Sequence, residues 1–350
     1  MTDILWRAKK KTIKNSNIFD YEVFLKKNYN VKIKKSYKEL LKWSISNPKI
    51  FWESIWDYSQ VKGQKKPHFK FSKKLYKSKF FVGSKLNFAE NLLSNKTDKK
   101  AITFVSENGY RQIKTWKNIY ENTSKIINFF NLINLQKSDR VAAYLPNISE
   151  TIEFFLASSA IGAIWSSCSP DFGTQGVIER FSQINPKILI ICDRYYYNGK
   201  EINIINRLPH IISKIKSIKT VVVVNYPGKK YLKFLKLKNI KTYKVSIIMK
   251  KKFSKIKFRK FDFDHQLAIL YSSGTTGKPK CICHRAGGVL LQHLKEHRLH
   301  CEIKPQDNIF YFTTCGWMMW NWLVSCLASE ASIVLFDGFP MYKKKDLLFK

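Results

Sequence analysis

The chain has 350 residues, 45% hydrophobic and 15% aromatic, which is enough apolar side chain for one large or two ordinary cores and excludes a disordered polymer. Its formal net charge is +38, so an acidic-ligand or nucleic-acid partner is one reading. Lysine is spread along the whole chain beside abundant Ile, Asn, Phe and Tyr, however, and arginine, the better reader of bases, is scarce; the charge therefore reads as a solvated face, with a basic nucleic-acid-binding module kept as the alternative.

The first residues, MTDILWRAKKKTIKNSNIF, hold no apolar core of signal-peptide length and no small-residue cleavage site. Residues 1–95 read as a mostly helical cap. Leu40, Leu41, Trp43, Ile45, Phe51, Trp52, Ile55 and Trp56 fall partly at helical spacing, and Asn47 and Pro48 open a second helix where the missing proline N–H does no harm. Residues 62–79 read as a basic loop. From about residue 100 strand-like runs follow at 101–105, 140–145, 187–192, 220–224, 267–272, 308–313 and 332–336. Amphipathic stretches lie between several of them, such as Trp116, Ile119, Tyr120, Thr123, Ile126, Ile127 and Phe130. This alternation predicts an α/β fold of parallel sheets joined by helical crossovers over residues 96–350. Residues 309–329 carry no charge and approach the length of a membrane span. Thr313, Thr314, Gly316, Asn321 and Ser325 interrupt them, so a strand followed by a buried helix is expected instead, and no membrane partner. Seven cysteines, an odd number without a disulfide framework, suit a reducing, cytoplasmic setting.

The richest chemistry lies directly after the run 267–271, in Ser272, Ser273, Gly274, Thr275, Thr276, Gly277, Lys278, Pro279 and Lys280. Two glycines let successive backbone N–H groups curl around an anion, hydroxyls add donors, and Lys280 adds positive charge. The loop is suited to the phosphates of ATP. Its glycines are too close together for the ordinary P-loop spacing. Parallel sheets bind ligands beyond the carboxyl ends of their strands, which is where this loop falls. Two metal readings compete elsewhere. His293, Glu296 and His297, with His300 a turn further on, spell an inverted zinc-peptidase pattern, so a zinc hydrolase is a second enzymatic alternative. Cys281, Cys283 and His284 are less suited to a metal, because strand alternation sends neighbours to opposite faces. No metal ligand is assigned from either group.

The Ser272–Lys280 loop resembles the phosphate-binding signature of the adenylate-forming acyl-CoA synthetase superfamily. Further stretches, FFVGSKLNFAENLL at 80–93, IGAIWSSCSPD at 161–171, residues 175–187 and 287–300, and FYFTTCGWMMWNWLVSCLASEASIVLFD at 310–337, are similar to the acetoacetyl-CoA synthetase family within it. YKELLKWSISNPKIFWESIWD at 37–57 resembles that family's N-terminal cap, and 221–261 is the poorest match. The resemblance implies a cap over 1–95 and an AMP-binding domain over 96–350. It implies an AMP-forming acid–thiol ligase with acetoacetate, ATP, Mg2+ and coenzyme A, and acetoacetyl-AMP as intermediate. It places Ser272, Ser273, Gly274, Thr275, Thr276, Gly277 and Lys280 on the ATP phosphates, Thr276 nearest the metal, Trp317 in the acyl pocket and Lys200 near the coenzyme A phosphates. The alternative for Trp317 is that it packs in the core with Trp320 and Trp322. Members of that family are much longer, so the resemblance also implies a fragment. Adenine, ribose and catalytic residues are then expected in an absent C-terminal part, carried by a second polypeptide if the chain works at all.

Overall fold

The apolar runs of the second half of the reading assemble into two sheets. In the computed structural model, which describes residues 6–33, 36–233, 237–272 and 277–343, the larger sheet has seven strands. Their order is Lys241–Lys244, Thr220–Val224, Ile188–Cys192, Arg140–Tyr144, Ile164–Cys168, Gln266–Ser272 and Lys280–Arg285. All neighbours are parallel except the last pair, which is an antiparallel hairpin. The smaller sheet runs Asn308–Phe310, Ser332–Asp337, Lys100–Ser106 and Arg111–Thr115, with only the last pair antiparallel.

Thr220–Val224 and Ile188–Cys192 are buried along their whole length, as strands covered on both faces must be. Helix Trp116–Leu132 opens on a capping box, in which the Thr115 hydroxyl accepts the Asn118 N–H and the Asn118 side chain accepts the Thr115 N–H. It buries Trp116, Ile119, Tyr120, Ile126, Phe129 and Phe130. Helix Ser149–Ile161 is buried on nearly every side, and it ends at Gly162 with φ 77°. A Cβ there would stand 2.6 Å from the Phe261 ring, so both the left-handed backbone and the close approach require glycine.

The N-terminal region forms helices Lys10–Lys14, Asn17–Tyr29, Tyr37–Ser46 and Pro48–Tyr58. They dock through polar as well as apolar contacts. Tyr21 is buried with its hydroxyl 2.6 Å from Ser54 Oγ, Asn17 donates to the carbonyls of Arg298 and Ile303, and Trp56 packs 5.1 Å from Phe81 and 6.2 Å from Phe263.

Several strands differ from expectation, among them Arg111–Thr115 at the edge of the smaller sheet and the short hairpin Arg194–Tyr197 with Lys200–Asn203. Ile164–Cys168, central in the large sheet, and Lys241–Lys244, at its edge, are additional. The run expected at 308–313 pairs only over Asn308–Phe310. Residues 318–325 form a short helix with Trp320, Leu323 and Val324 buried, and among the described residues no helix is long and apolar enough to cross a membrane.

Candidate active site

After Arg140–Tyr144 the chain crosses to Ile164–Cys168 on one side, and after that strand it returns to Ile188–Cys192 on the other. Opposed crossovers leave a crevice beyond the carboxyl ends of these strands. Four segments meet there.

The first is the loop at the end of Gln266–Ser272. Ser272 pairs with Lys280 across the hairpin, so the glycine- and hydroxyl-rich segment is what joins the two strands in sequence. Ser273, Gly274, Thr275 and Thr276 lie outside the described residues. Gly277 has φ 125°, with open space around it. Lys280 is exposed at the start of its strand. The returning arm is tied down by Gln183, whose amide donates to the Pro279 carbonyl at 2.9 Å.

The second is Ser169 to Phe172, after Ile164–Cys168. Here Tyr144 donates its hydroxyl hydrogen to the Phe172 carbonyl at 2.7 Å. The Arg207 guanidinium donates to the Tyr144 oxygen and, at 3.3 Å each, to the carbonyls of Pro170 and Phe172. The Arg180 guanidinium lies 4.2 Å above the Phe172 ring and 5.9 Å from that of Tyr271, a cation–π stack beside the base of the glycine-rich loop.

The third segment carries Trp317. Ser167 donates to the Cys315 carbonyl at 2.6 Å, Cys315 Sγ lies 2.9 Å from the Leu145 carbonyl, and the Asn147 amide donates to the Thr313 carbonyl at 3.3 Å. Asn147 Oδ1 in turn accepts the indole N–H of Trp320. These bonds lay residues 313–316 across the ends of two central strands. Trp317 follows with 55% of its surface exposed, whereas Trp320 is fully buried. Trp320 is thus core and Trp317 is not.

The fourth is Asp337 with the residues after it. Asp337 is partly buried, its carboxylate accepts the Tyr226 hydroxyl at 2.9 Å, and desolvation pushes its pKa up to about 7. Lys200 stands nearby in the chain's layout, on a hairpin of Arg194–Tyr197 and Lys200–Asn203 that follows the carboxyl end of Ile188–Cys192; its side chain is exposed.

The histidine pattern has other partners. His293 Nδ1 is 2.8 Å from Ser325 Oγ, and His297 Nε2 is 3.4 Å from Cys326 Sγ. Glu296 pairs with Lys295 at 2.5 Å and accepts from Gln292. Burial pushes both histidines down to about 3, and among the described residues no group of three His, Cys, Asp or Glu side chains could hold a metal ion. Nothing here supports the zinc-hydrolase alternative.

Arg180, Arg207 and Asp337 escaped the sequence reading. The scarcity of arginine was the available signal for the first two, since an arginine retained in a lysine-rich chain marks a place where a planar, multidentate donor is needed.

A profile described as "AMP-binding enzyme" matches residues 88–350. The chain belongs to this AMP-binding enzyme family. A second profile, "Acetyl-coenzyme A synthetase N-terminus", matches residues 37–92, and the nucleic-acid alternative gains no support. Among curated relatives, this AMP-binding chain is 41% identical to the acetoacetyl-coenzyme A synthetase of Rhizobium meliloti (strain 1021), over 88% of its own length and 47% of that protein's. It is 35% identical to a malonamoyl-CoA synthetase of Penicillium aethiopicum, over 97% and 48%. The solved structure of an acetoacetyl-CoA synthetase from Streptomyces lividans superposes with a TM-score of 0.91 at 29% identity, covering 99% of this chain and 53% of that one. The chain spans about half the length of the relatives it matches.

Proposed function

We propose that the chain grips MgATP at the Ser272–Lys280 loop as part of an enzyme that activates acetoacetate. The observation that carries this reading is where the described ends of that loop stand: Ser272 closes a strand next to Ile164–Cys168, pairs with Lys280, and follows Tyr271, which lies beside the Arg180–Phe172 stack. The acetoacetate carboxylate attacks the α-phosphorus of ATP, the bond to the β-phosphate breaks, and acetoacetyl-AMP and pyrophosphate form. The coenzyme A thiol then attacks the acyl carbon, loses its proton, and AMP leaves. The chain's own contribution is positioning and charge neutralisation: N–H and hydroxyl groups of Ser272, Ser273, Gly274, Thr275, Thr276 and Gly277 around the phosphates, Lys280 as a neighbouring positive charge, Trp317 against the acyl group, and Lys200 toward coenzyme A. Magnesium would be held largely by the nucleotide's phosphates and water, with Thr276 the residue of the loop nearest to it. The cap spans 1–95 and the AMP-binding domain 96–350, and the setting is cytoplasmic.

The test is ATP binding by calorimetry with the chain and its Gly277→Val variant. Glycine at φ 125° has no substitute among L residues, so the variant is expected to lose at least tenfold in affinity (about 1.4 kcal/mol). Equal affinities would move the nucleotide elsewhere. Exchange of labelled pyrophosphate into ATP, with acetoacetate against malonamate, then assigns the acid; equal exchange with both removes acetoacetate as the specific substrate.

A further inference from the structure

Glu107 sits in the turn between Lys100–Ser106 and Arg111–Thr115 and is only 4% exposed. Its carboxylate accepts three backbone N–H groups from two distant segments: Asn198 at 2.8 Å and Gly199 at 2.8 Å from the hairpin that carries Lys200, and Phe339 at 2.7 Å from the chain just past Asp337. Its own N–H donates to the Asp337 carbonyl at 3.0 Å. No ion pair to a basic side chain is formed by Glu107 among the described residues, so its charge is met by main-chain donors.

The surrounding backbone is shaped to this carboxylate. Asn198 and Gly199 have φ 50° and 78°, the two left-handed residues of a tight hairpin turn, and such a turn aims consecutive N–H groups at one anion. Gly338 has φ 121°, and a Cβ there would lie 2.6 Å from the Cβ of Glu107. A Cβ on Gly199 would lie 2.7 Å from the Tyr342 ring. The Tyr197 and Phe339 rings close the same seam at 5.6 Å.

We infer that Glu107 is a positioning residue: it clamps the Tyr197–Lys200 turn to the 338–339 segment, and so fixes the place from which Lys200 meets the phosphates of coenzyme A. This rests on the coenzyme A reading of Lys200 given above. A hairpin of two short strands is marginal by itself, and an exposed lysine on a loose turn makes a weak phosphate contact. Three charge-assisted hydrogen bonds to the turn and its neighbour remove that freedom. Glutamine is the informative replacement, because it keeps the shape but points an NH2 group at backbone donors.

The experiment measures coenzyme A and ATP dissociation constants by calorimetry for the chain, Glu107→Gln, Lys200→Ala and the double variant. Expected are a roughly tenfold weaker coenzyme A affinity for E107Q, unchanged ATP affinity, and no further loss when E107Q is added to K200A, since the two act through one contact. Gly338→Ala, which keeps the carboxylate but drives a methyl group into it, should reproduce the E107Q result. If K200A weakens coenzyme A while E107Q and G338A do not, the clamp is overturned and the Lys200 reading stands. An equal loss of ATP and coenzyme A affinity in E107Q overturns it too, as general unfolding. Absence of coenzyme A binding by the unsubstituted chain overturns the Lys200 reading itself and the inference with it.

Discussion

Asp337 couples this fold to pH through one desolvated carboxyl group. Burial raises it from the ordinary 3.8 to about 7, against the opposing hydrogen bond from Tyr226. Between those values the unfolded chain gives up the proton and the folded chain keeps it, so stability falls as pH rises through the window and that contribution is gone above about 7. Glu153, buried beside Lys114 at 3.6 Å and likewise raised by burial, acts in the same direction. His293 and His297 act in the other: depressed from 6.5 to about 3 by burial, they leave the unfolded chain binding more protons below 6.5, so stability falls as pH falls from there. Asp337→Asn mimics the protonated group and still offers an oxygen to Tyr226. It is expected to raise the melting temperature by a few degrees at pH 8.5 and by about half as much at pH 5.5, near the middle of the window. A variant equally destabilised at both values in a thermal scan would show that Asp337 is ionised and needed as a charge.

The strand Ile164–Cys168 organises the crevice through side chains that hid it from the sequence. Trp165 donates its indole N–H to Ser167 Oγ at 3.0 Å, and Ser167 donates onward to Cys315 at 2.6 Å; on the other face Ser166 Oγ meets the Ile269 carbonyl and the Tyr271 hydroxyl. Ser167→Ala would leave a buried N–H and a buried carbonyl unpaired, at a cost of about 1–3 kcal/mol each in the worst case. Urea denaturation should show that loss with an unchanged slope, and Trp317 fluorescence should shift as its segment loosens; a change within about 0.5 kcal/mol would mean that water replaces the hydroxyl. The same serines explain why the strand was not legible, since a buried strand is read from an unbroken apolar run such as Thr220–Val224, whose ends agree with the reading. Lys241–Lys244 was missed for a different reason: an edge strand covered on one side needs few apolar residues, and its pattern is exposed at both ends. The loop proposed to hold phosphates drew notice in the sequence because its glycine and hydroxyl chemistry is contiguous. Glu107 and Arg207 were not, because each serves backbone groups tens to hundreds of residues away, and a backbone partner leaves no trace in residue type.

At the scale of the whole molecule, a charge of +38 meets a crevice proposed to receive two polyanions, and the two facts bear on each other through kinetics. Several carboxylates are already engaged inside the fold: Glu107 by main-chain donors, Asp193 by Arg194 and two N–H groups, Asp337 by Tyr226. The surface potential is therefore dominated by lysine, and a field of one sign raises encounter rates with anions while adding little to the bound state. Raising salt shortens the screening length from about 30 Å at 0.01 M to about 8 Å at 0.15 M. Stopped-flow measurement across that range is expected to show the ATP association rate falling about tenfold or more, with the dissociation rate nearly constant. The contrary result, a flat association rate with dissociation accelerating in salt, would mean that the lysines act as direct phosphate contacts in the complex, and the contribution of the diffuse charge to ligand capture would have to be given up.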